Sequence, residues 1–590
     1  MKYVQKLNFQ NYLDYVCNKN SLNIINLDVI KVFDHINKLD KLIVLSISSY
    51  LFILSILSRI IYFKSFYRLK LEQIHNLVKV LLIFNFIISK IDQIIYISSL
   101  LHIYSNENLI KNNQEIQCNT SKSNDSYSRF IVIGSGPSGA VTALELSKVY
   151  QGQVLVIEKG NSYNIPKTKH PGDEFSKKWY RGGINSTYFP QMIAYSSASC
   201  YGGGSEINSG LFHEPDEEFL NRWNTDYGTE GLDTESINEH INKVRELVSG
   251  SKFNKNFGEL FAKGVNQKSK NLKILKKFSN STNDKKNSMS ETLLKKFIQN
   301  NGIVELSREV EKINYNNNKW ILKTCKNGKI KKFTCDYLFL CCGSLFTNNL
   351  MIKSRVAVDK KNIINTFKFH PMIKMIGSFS ENIQNLNEDV IPHQNLEYYP
   401  KFIIGNASSS IQFLKSSFTD SSIIKFIDAN WKKMKIFHAT FSIGSGKIIN
   451  IPFIKDPFLL YFFKKDEKKL IHFATLKLFN FIKQAKAEYI IPLTQKNSKI
   501  FKTKKSNKLM DKNVKIKNFQ ISSVHILGGI TMGENSKCVA NSYGKINNYE
   551  GLYVNDSSLI NNQLLKNPQG TIMTIAYRNI QNFINNNSKT

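Results

Sequence analysis

The chain has 590 residues and a mass of 67.8 kDa, more than one hydrophobic core usually organises, so two or more domains are expected. Its 42% hydrophobic content is ordinary, but 80 Lys+Arg against 46 Asp+Glu give a formal net charge of +34. That surplus runs the whole length beside heavy Asn and Ile use, and no basic block carries interleaved aromatics, so no nucleic-acid platform is expected and Lys502 to Lys505 reads as a solvated loop.

The first 120 or so residues are helical in pattern and free of glycine, and form a module of their own. Within it, Leu42 to Leu57 is an almost uncharged stretch ended by Arg59, about 24 Å long as a helix and just short of a bilayer core. Val80 to Leu101 is a second apolar stretch, but Asn85, Lys90 and Asp92 count against a second span. Two readings stand side by side: membrane association through the first stretch, or a buried helical hairpin packed on the rest of the chain. A polar linker follows from Asn112 to Ser128.

At Arg129 the pattern changes. Phe130-Ile-Val-Ile133 is a short β-run that feeds into Gly134-Ser-Gly-Pro-Ser-Gly139 and a helix over Ala140 to Val149. A second β-run, Gln153 to Ile157, then ends in Glu158 and Lys159. This is the strand, glycine turn, helix, strand and acid order of a βαβ dinucleotide-binding unit. Gly134 permits the tight turn, Gly136 lets the backbone approach a pyrophosphate, and Gly139 allows close helix packing, with Ser138 in the same turn. Glu158 stands 19 positions after Gly139 (158 − 139), where an acid binds ribose hydroxyls and repels a 2′-phosphate. The cofactor is therefore FAD or NAD rather than NADP.

Further along, Tyr201-Gly-Gly-Gly-Ser-Glu-Ile-Asn-Ser-Gly210 offers backbone N–H groups and small polar side chains to a phosphate or ring edge. Val310 to Ile313, Trp320 to Lys323 and Tyr337 to Cys342 read as strands returning to the nucleotide-binding sheet. Cys341 and Cys342 there are buried small side chains rather than redox partners. None of the eight cysteines forms a C-x-x-C pair or a zinc-ligand spacing, so no metal site is expected and a reducing compartment is. No secretory signal is legible at Met1, which with the cysteines points to the cytoplasm, the inner face of a membrane being the variant that the apolar stretch allows. The last segment carries Val524-His525-Ile-Leu-Gly-Gly529, Gly551 to Ser558, and Asn567-Pro-Gln-Gly-Thr571 opening a helix with Asn567 at its cap.

At these residues the chain resembles the glucose-methanol-choline (GMC) oxidoreductase family, over roughly Tyr127 to Asn585 and most clearly at both ends and at Gly202 to Gly210. The resemblance implies an α/β fold: a Rossmann-like FAD-binding domain from 127–213, 301–355 and 521–590, and an α+β substrate domain with an antiparallel sheet from 214–300 and 356–520. It implies FAD and a CH–OH donor, an alcohol, sugar or lipid alcohol. His525 would be the catalytic base and Asn567 its partner, 42 positions on (567 − 525). Gly203, Gly204, Ser205 and Asn208 would lie beside pyrophosphate and flavin, Val310 beside adenine, and Asp556 and Gln569 near the ribityl chain and pyrimidine edge.

The chain departs from the family at Ile207, where some relatives carry a histidine that tethers FAD, so that tether is excluded. It departs again at His213-Glu214, which leaves a substrate-side contact in doubt. His370, in Phe369-His-Pro-Met372, either lines the substrate site or marks a turn before proline. The flavin's electron acceptor, whether quinone, cytochrome or dioxygen, is not legible, although the N-terminal module favours a membrane acceptor. Two other readings are another flavoprotein class, such as an amine oxidase, which needs no His525 and Asn567 pair, and a flavin-binding or membrane-attached protein without catalysis.

Overall fold

The computed structural model describes residues 3–19, 28–39, 41–80, 85–103, 126–163, 172–188, 190–248, 250–251, 272–274, 276–278, 286–356, 365–383, 393–451, 456–494, 498–505, 519–561 and 564–587. The expected linker from Asn112 lies outside the described residues as far as 125, as does Cys118.

The nucleotide-binding sheet is assembled from distant segments. Its five parallel strands run, from one edge, Leu552–Val554, Tyr337–Leu340, β1 (Phe130–Ile133), β2 (Val154–Ile157) and Ile303–Glu305. β1 and β2 are uninterrupted apolar runs because both sheet faces are covered. Phe130 and Val132 face the helices Pro137–Val149 and Gln569–Asn587, while Ile131 and Ile133 face a core that holds Trp223 and Trp320. An antiparallel three-stranded sheet, Glu309–Asn316, Lys319–Lys326 and Lys329–Cys335, stands against this unit.

The second sheet has ten strands among the described residues and is largely antiparallel, centred on Met372–Ser378, Met434–Phe441 and Phe402–Ala407. Its period-two alternation divides two cores. Ile373, Met375, Phe437 and Ile490 pack with the helix Lys465–Gln484, whereas Ile376, Ile436 and Ile491 pack with the N-terminal helices. The α/β class and the antiparallel second domain are thus as the sequence implied.

The N-terminal helices are α1 (Tyr3–Lys19), α2 (Val29–Asn37), α3 (Lys41–Tyr62), α4 (Leu71–Val80) and α5 (Asn85–Ile103). They are the outer layer of the second sheet, with a core continuous with it. The module also docks on the rest of the chain by a polar contact: His35, held down to about 3 chiefly by burial, is neutral and donates from Nε2 to the Gly182 carbonyl at 3.2 Å. α3 is longer than the run that suggested it: 22 residues, about 33 Å, continuing through Arg59. Among the described residues it is the one helix long and apolar enough to cross a membrane. One side of it is buried in the module through Ile47, Tyr50, Leu51 and Leu54. Asp92 of α5 is buried too, paired with Lys19 at 2.9 Å.

Because Leu54 is fully buried in the core shared with the sheet, Leu54→Ala is expected to cost about 2–5 kcal/mol. Urea unfolding followed by far-UV circular dichroism measures this, and an unchanged midpoint would show that α3 contributes nothing to the folded unit.

Candidate active site

The dinucleotide end is built on the turn after β1. Gly134 has φ +100°, and a Cβ there would stand 2.5 Å from the Cys341 carbonyl oxygen, so only glycine makes this crossing. Gly139 is equally constrained by the Gly134 carbonyl, at 2.0 Å. The helix Pro137–Val149 starts with Gly136 at its cap and Pro137 in its first turn, without a side-chain cap, so its first N–H groups and the positive end of its dipole are left for an anion. Ser138 is buried in that first turn, its carbonyl accepting from Thr142 at 2.8 Å.

Glu158, at the end of β2, is tied to the turn. One oxygen accepts from Ser135 N at 3.0 Å and Ser135 Oγ at 2.7 Å, and the other from Gly160 N at 2.7 Å. A carboxylate has about four lone-pair sites, so about one is left for a ligand hydroxyl. Ser135 Oγ also accepts from Gly202 N at 3.0 Å, which joins the acid, the first turn and the second glycine segment into one chain. Lys159 is turned outward, paired with Glu309 at 2.9 Å over the rings of Tyr180 and Phe346. Val310 is next to Glu309, at a bulge in its strand where the ladder shifts by one residue.

The second glycine segment lies against the first. A Cβ on Gly203, at φ +56°, would be 2.6 Å from the Gly136 Cα, while a Cβ on Gly204 would meet nothing within 4 Å. The two backbones touch and leave open room beside them, a floor free of side chains that suits a pyrophosphate. Ser205 is spent on bracing this segment, donating to the Gly202 carbonyl at 2.7 Å and accepting from Met289 N at 2.9 Å. Asn208 donates to the Gln569 side-chain oxygen, which fastens the segment to the start of the helix Gln569–Asn587. Asp556 is buried, its carboxylate taking Gly343 N at 2.8 Å, Thr347 Oγ1 at 2.5 Å and both the N–H and hydroxyl of Ser558. It anchors the turn after Tyr337–Leu340.

The histidine end follows from strand register. Phe369 pairs with Ile526 in antiparallel fashion, which sets His370 opposite His525. Their Nδ1 atoms are 3.0 Å apart with the rings crossed at 88°. His525 is only partly covered, yet its surroundings hold it down to about 4 by burial. His370 is fully buried and held well below its usual value by that burial and then by His525. Both rings are neutral. Asn567 is fixed from two sides: its Oδ1 accepts from Gln394 Nε2 at 3.1 Å, and its backbone N–H donates to His213 Nδ1 at 3.1 Å.

Ser135, Gln394 and the roles of His213 and His370 were not found by motif reading. Gln394 and His213 stand 173 and 354 positions from Asn567 and carry no local signal. His370 had one, a histidine between strands before a proline, but not its partner. Glu214, whose substrate-side role was in doubt, faces away in a two-point pair with Arg245 at 2.6 Å.

The glycine floor fits FAD, and its test is steric. Gly203→Ala adds a methyl at a left-handed position against the Gly136 backbone, so the purified variant is expected to lose most of its visible flavin absorbance per chain while keeping its helical circular dichroism. Full flavin content in the variant would place the pyrophosphate elsewhere.

Comparison with known proteins bears on the family and the fold. GMC oxidoreductase family models match residues 129–281 and 459–576. An uncharacterised GMC-type oxidoreductase of Sinorhizobium fredii is 22% identical over 471 residues, covering 76% of this chain and 93% of that protein. A long-chain-alcohol oxidase of Arabidopsis thaliana is 23% identical over 507 residues, covering 76% of this chain and 67% of that one. Among solved structures, a pyridoxine 4-oxidase from Mesorbium loti superposes with a TM-score of 0.61 at 11% identity, covering 78% of this chain and 99% of that one, a likeness of fold. The chain therefore belongs to the GMC oxidoreductase family, an FAD-binding family that oxidises CH–OH groups.

Proposed function

We propose that the protein oxidises a neutral or anionic alcohol, with His525 as the base that takes the hydroxyl proton and Asn567 as the group that orients the oxygen. The observation that carries this reading is the His370–His525 contact. Two neutral imidazoles meeting Nδ1 to Nδ1 hold one proton between them. With His525 donating its Nδ1–H to His370, the Nε2 of His525 keeps a bare lone pair, the form that the proposed base requires. His370 is thus a positioning residue that sets the tautomer of the base.

An alcohol releases hydride as its hydroxyl proton leaves, since electron density gathers on oxygen and then on the carbon. The base must reach that hydroxyl. Asn567, its carbonyl oxygen held by Gln394, has its NH2 group left to donate to the substrate oxygen. FAD, when bound, supplies the electron sink.

The charge of the site supports the substrate class. Lys374 lies opposite His438 in the paired strands, held down to about 8 by burial, and His438 is held down to about 3 by burial and then by Lys374. No carboxylate is among the groups that shift His370, Lys374, His438 or His525. Among the described residues, a cationic alcohol would find no counter-charge acting at these four groups. We infer also that the electron acceptor is membrane-borne, a quinone or cytochrome, a reading supported by the exposed apolar side of α3.

His525→Ala is expected to lower kcat by roughly a hundredfold to ten-thousandfold, and His370→Ala to lower kcat with little change in KM. In the wild type the acid limb of kcat/KM should fall near 4, where the base gains its proton, and not near the ordinary imidazole value of about 6.5. A profile that drops near 6.5, or a His525→Ala variant with full kcat, would remove His525 as the base. Of two alcohols matched in shape, the neutral one should exceed the quaternary-ammonium one in kcat/KM by about tenfold or more, and equal values would contradict the assigned charge of the site.

A further inference from the structure

We propose that α3 seats the protein on an anionic lipid bilayer, lying in the plane of the interface and not crossing it. The outward side of α3 carries Leu45, Phe52, Ile53, Ile56 and Ile60, and Phe63 follows just past its end, at the spacing of one helical stripe. These side chains are well exposed, with Phe52 at 62% and Ile60 at 63%. Phe63 is 90% exposed on a left-handed backbone, φ +53°, so the chain holds a strained conformation that turns an aromatic ring into solvent. A contiguous apolar stripe of this kind marks a contact surface rather than ordinary scattered exposure.

Charge identifies the occupant. From Lys41 to Leu71 the chain holds Lys41, Arg59, Lys64, Arg68 and Lys70 and no acidic residue. All five cations are exposed, and Arg59 stands beside the stripe itself, where its long stem can lie along lipid while its head reaches the phosphates. An apolar stripe edged with cations is complementary to a negative leaflet, where headgroup phosphates and acyl chains are met together.

The other side of α3 decides between lying and crossing. Ile47, Tyr50, Leu51 and Leu54 are built into the module core, and the Tyr50 hydroxyl is 3.2 Å from that of Tyr12, which donates to Asp92, itself paired with Lys19. Threading α3 through a bilayer would strip it from this core or carry the Asp92–Lys19 pair to hydrocarbon depth. In the plane, the same helix keeps its inner side on protein and gives only its outer side to lipid.

The test is flotation of the full-length flavoprotein with vesicles of phosphatidylcholine plus phosphatidylglycerol and with vesicles of phosphatidylcholine alone. Binding is expected to the first kind, weaker binding to the second, and release by alkaline carbonate. Phe52→Asp with Ile56→Asp, both at exposed positions, should lower the partition coefficient by about a hundredfold or more with the flavin spectrum intact. Lys64→Ser should lower it about fivefold on the anionic vesicles. Equal flotation of the double variant, or no flotation with anionic vesicles, overturns the proposal. Retention through carbonate makes α3 a span, and a lipid-free dimer that the double variant dissolves makes the stripe a contact between two copies of the chain.

Discussion

Everything at the nucleotide end depends on two glycine backbones in contact. Gly136, at the cap of the first helix, and Gly203, in a left-handed conformation, approach so closely that a methyl on Gly203 would stand 2.6 Å from the Gly136 Cα and part them. That approach brings the N-terminus of the helix Pro137–Val149 beside a segment with no side chains, and Ser135 stitches the two together between Glu158 and Gly202. Glu158 is therefore a structural member of the cradle, beside the ribose role expected of it. Three of its acceptor positions hold the loops that form the site.

At the other end, a strand pairing does what the glycines do at the first. The register that sets Phe369 opposite Ile526 also sets His370 against His525, and burial keeps both rings neutral. A neutral pair with one shared proton lets one ring set the tautomer of the other, which is how the proposed base would be oriented without a carboxylate. Both histidines sit where a four-stranded sheet, through Thr366–Phe369 and Ile526–Leu527, joins the second sheet, through Met372–Ser378 and Ile521–Ser523, whereas the cofactor cradle is built on the nucleotide-binding sheet.

The parts of the site that were legible in the sequence are those whose physics is local. A glycine that must cross a carbonyl and an acid ending a strand each leave a mark within a few residues, whereas the cap expected at Asn567 does not form, because the helix begins at Gln569 and the Asn567 Oδ1 accepts from Gln394. The contacts that make these parts act together are long-range, as with His370 and His525 at 155 positions apart or Gln394 and Asn567 at 173, and no spacing rule reaches them. Asp556, Ser205 and Lys159 show the same limit from the other direction: their side chains are engaged in bracing and pairing within the protein. For the N-terminal module, the apolar run was plain, but α3 is apolar on both sides, so periodicity did not say which side meets protein. Contact with α1, α2 and α4 within the module core settles that.

The most direct test of the account is anaerobic rapid mixing of the purified flavoprotein with a panel of primary alcohols, sugars and sterols, following the loss of visible flavin absorbance in the wild type and in His525→Ala. The account predicts that one class of neutral or anionic alcohol bleaches the flavin of the wild type and that the variant, with the same flavin content, bleaches more slowly by roughly a hundredfold or more. Bleaching at the same rate in both would contradict the assignment of the base, and a flavin that no alcohol reduces would contradict the proposed reaction itself.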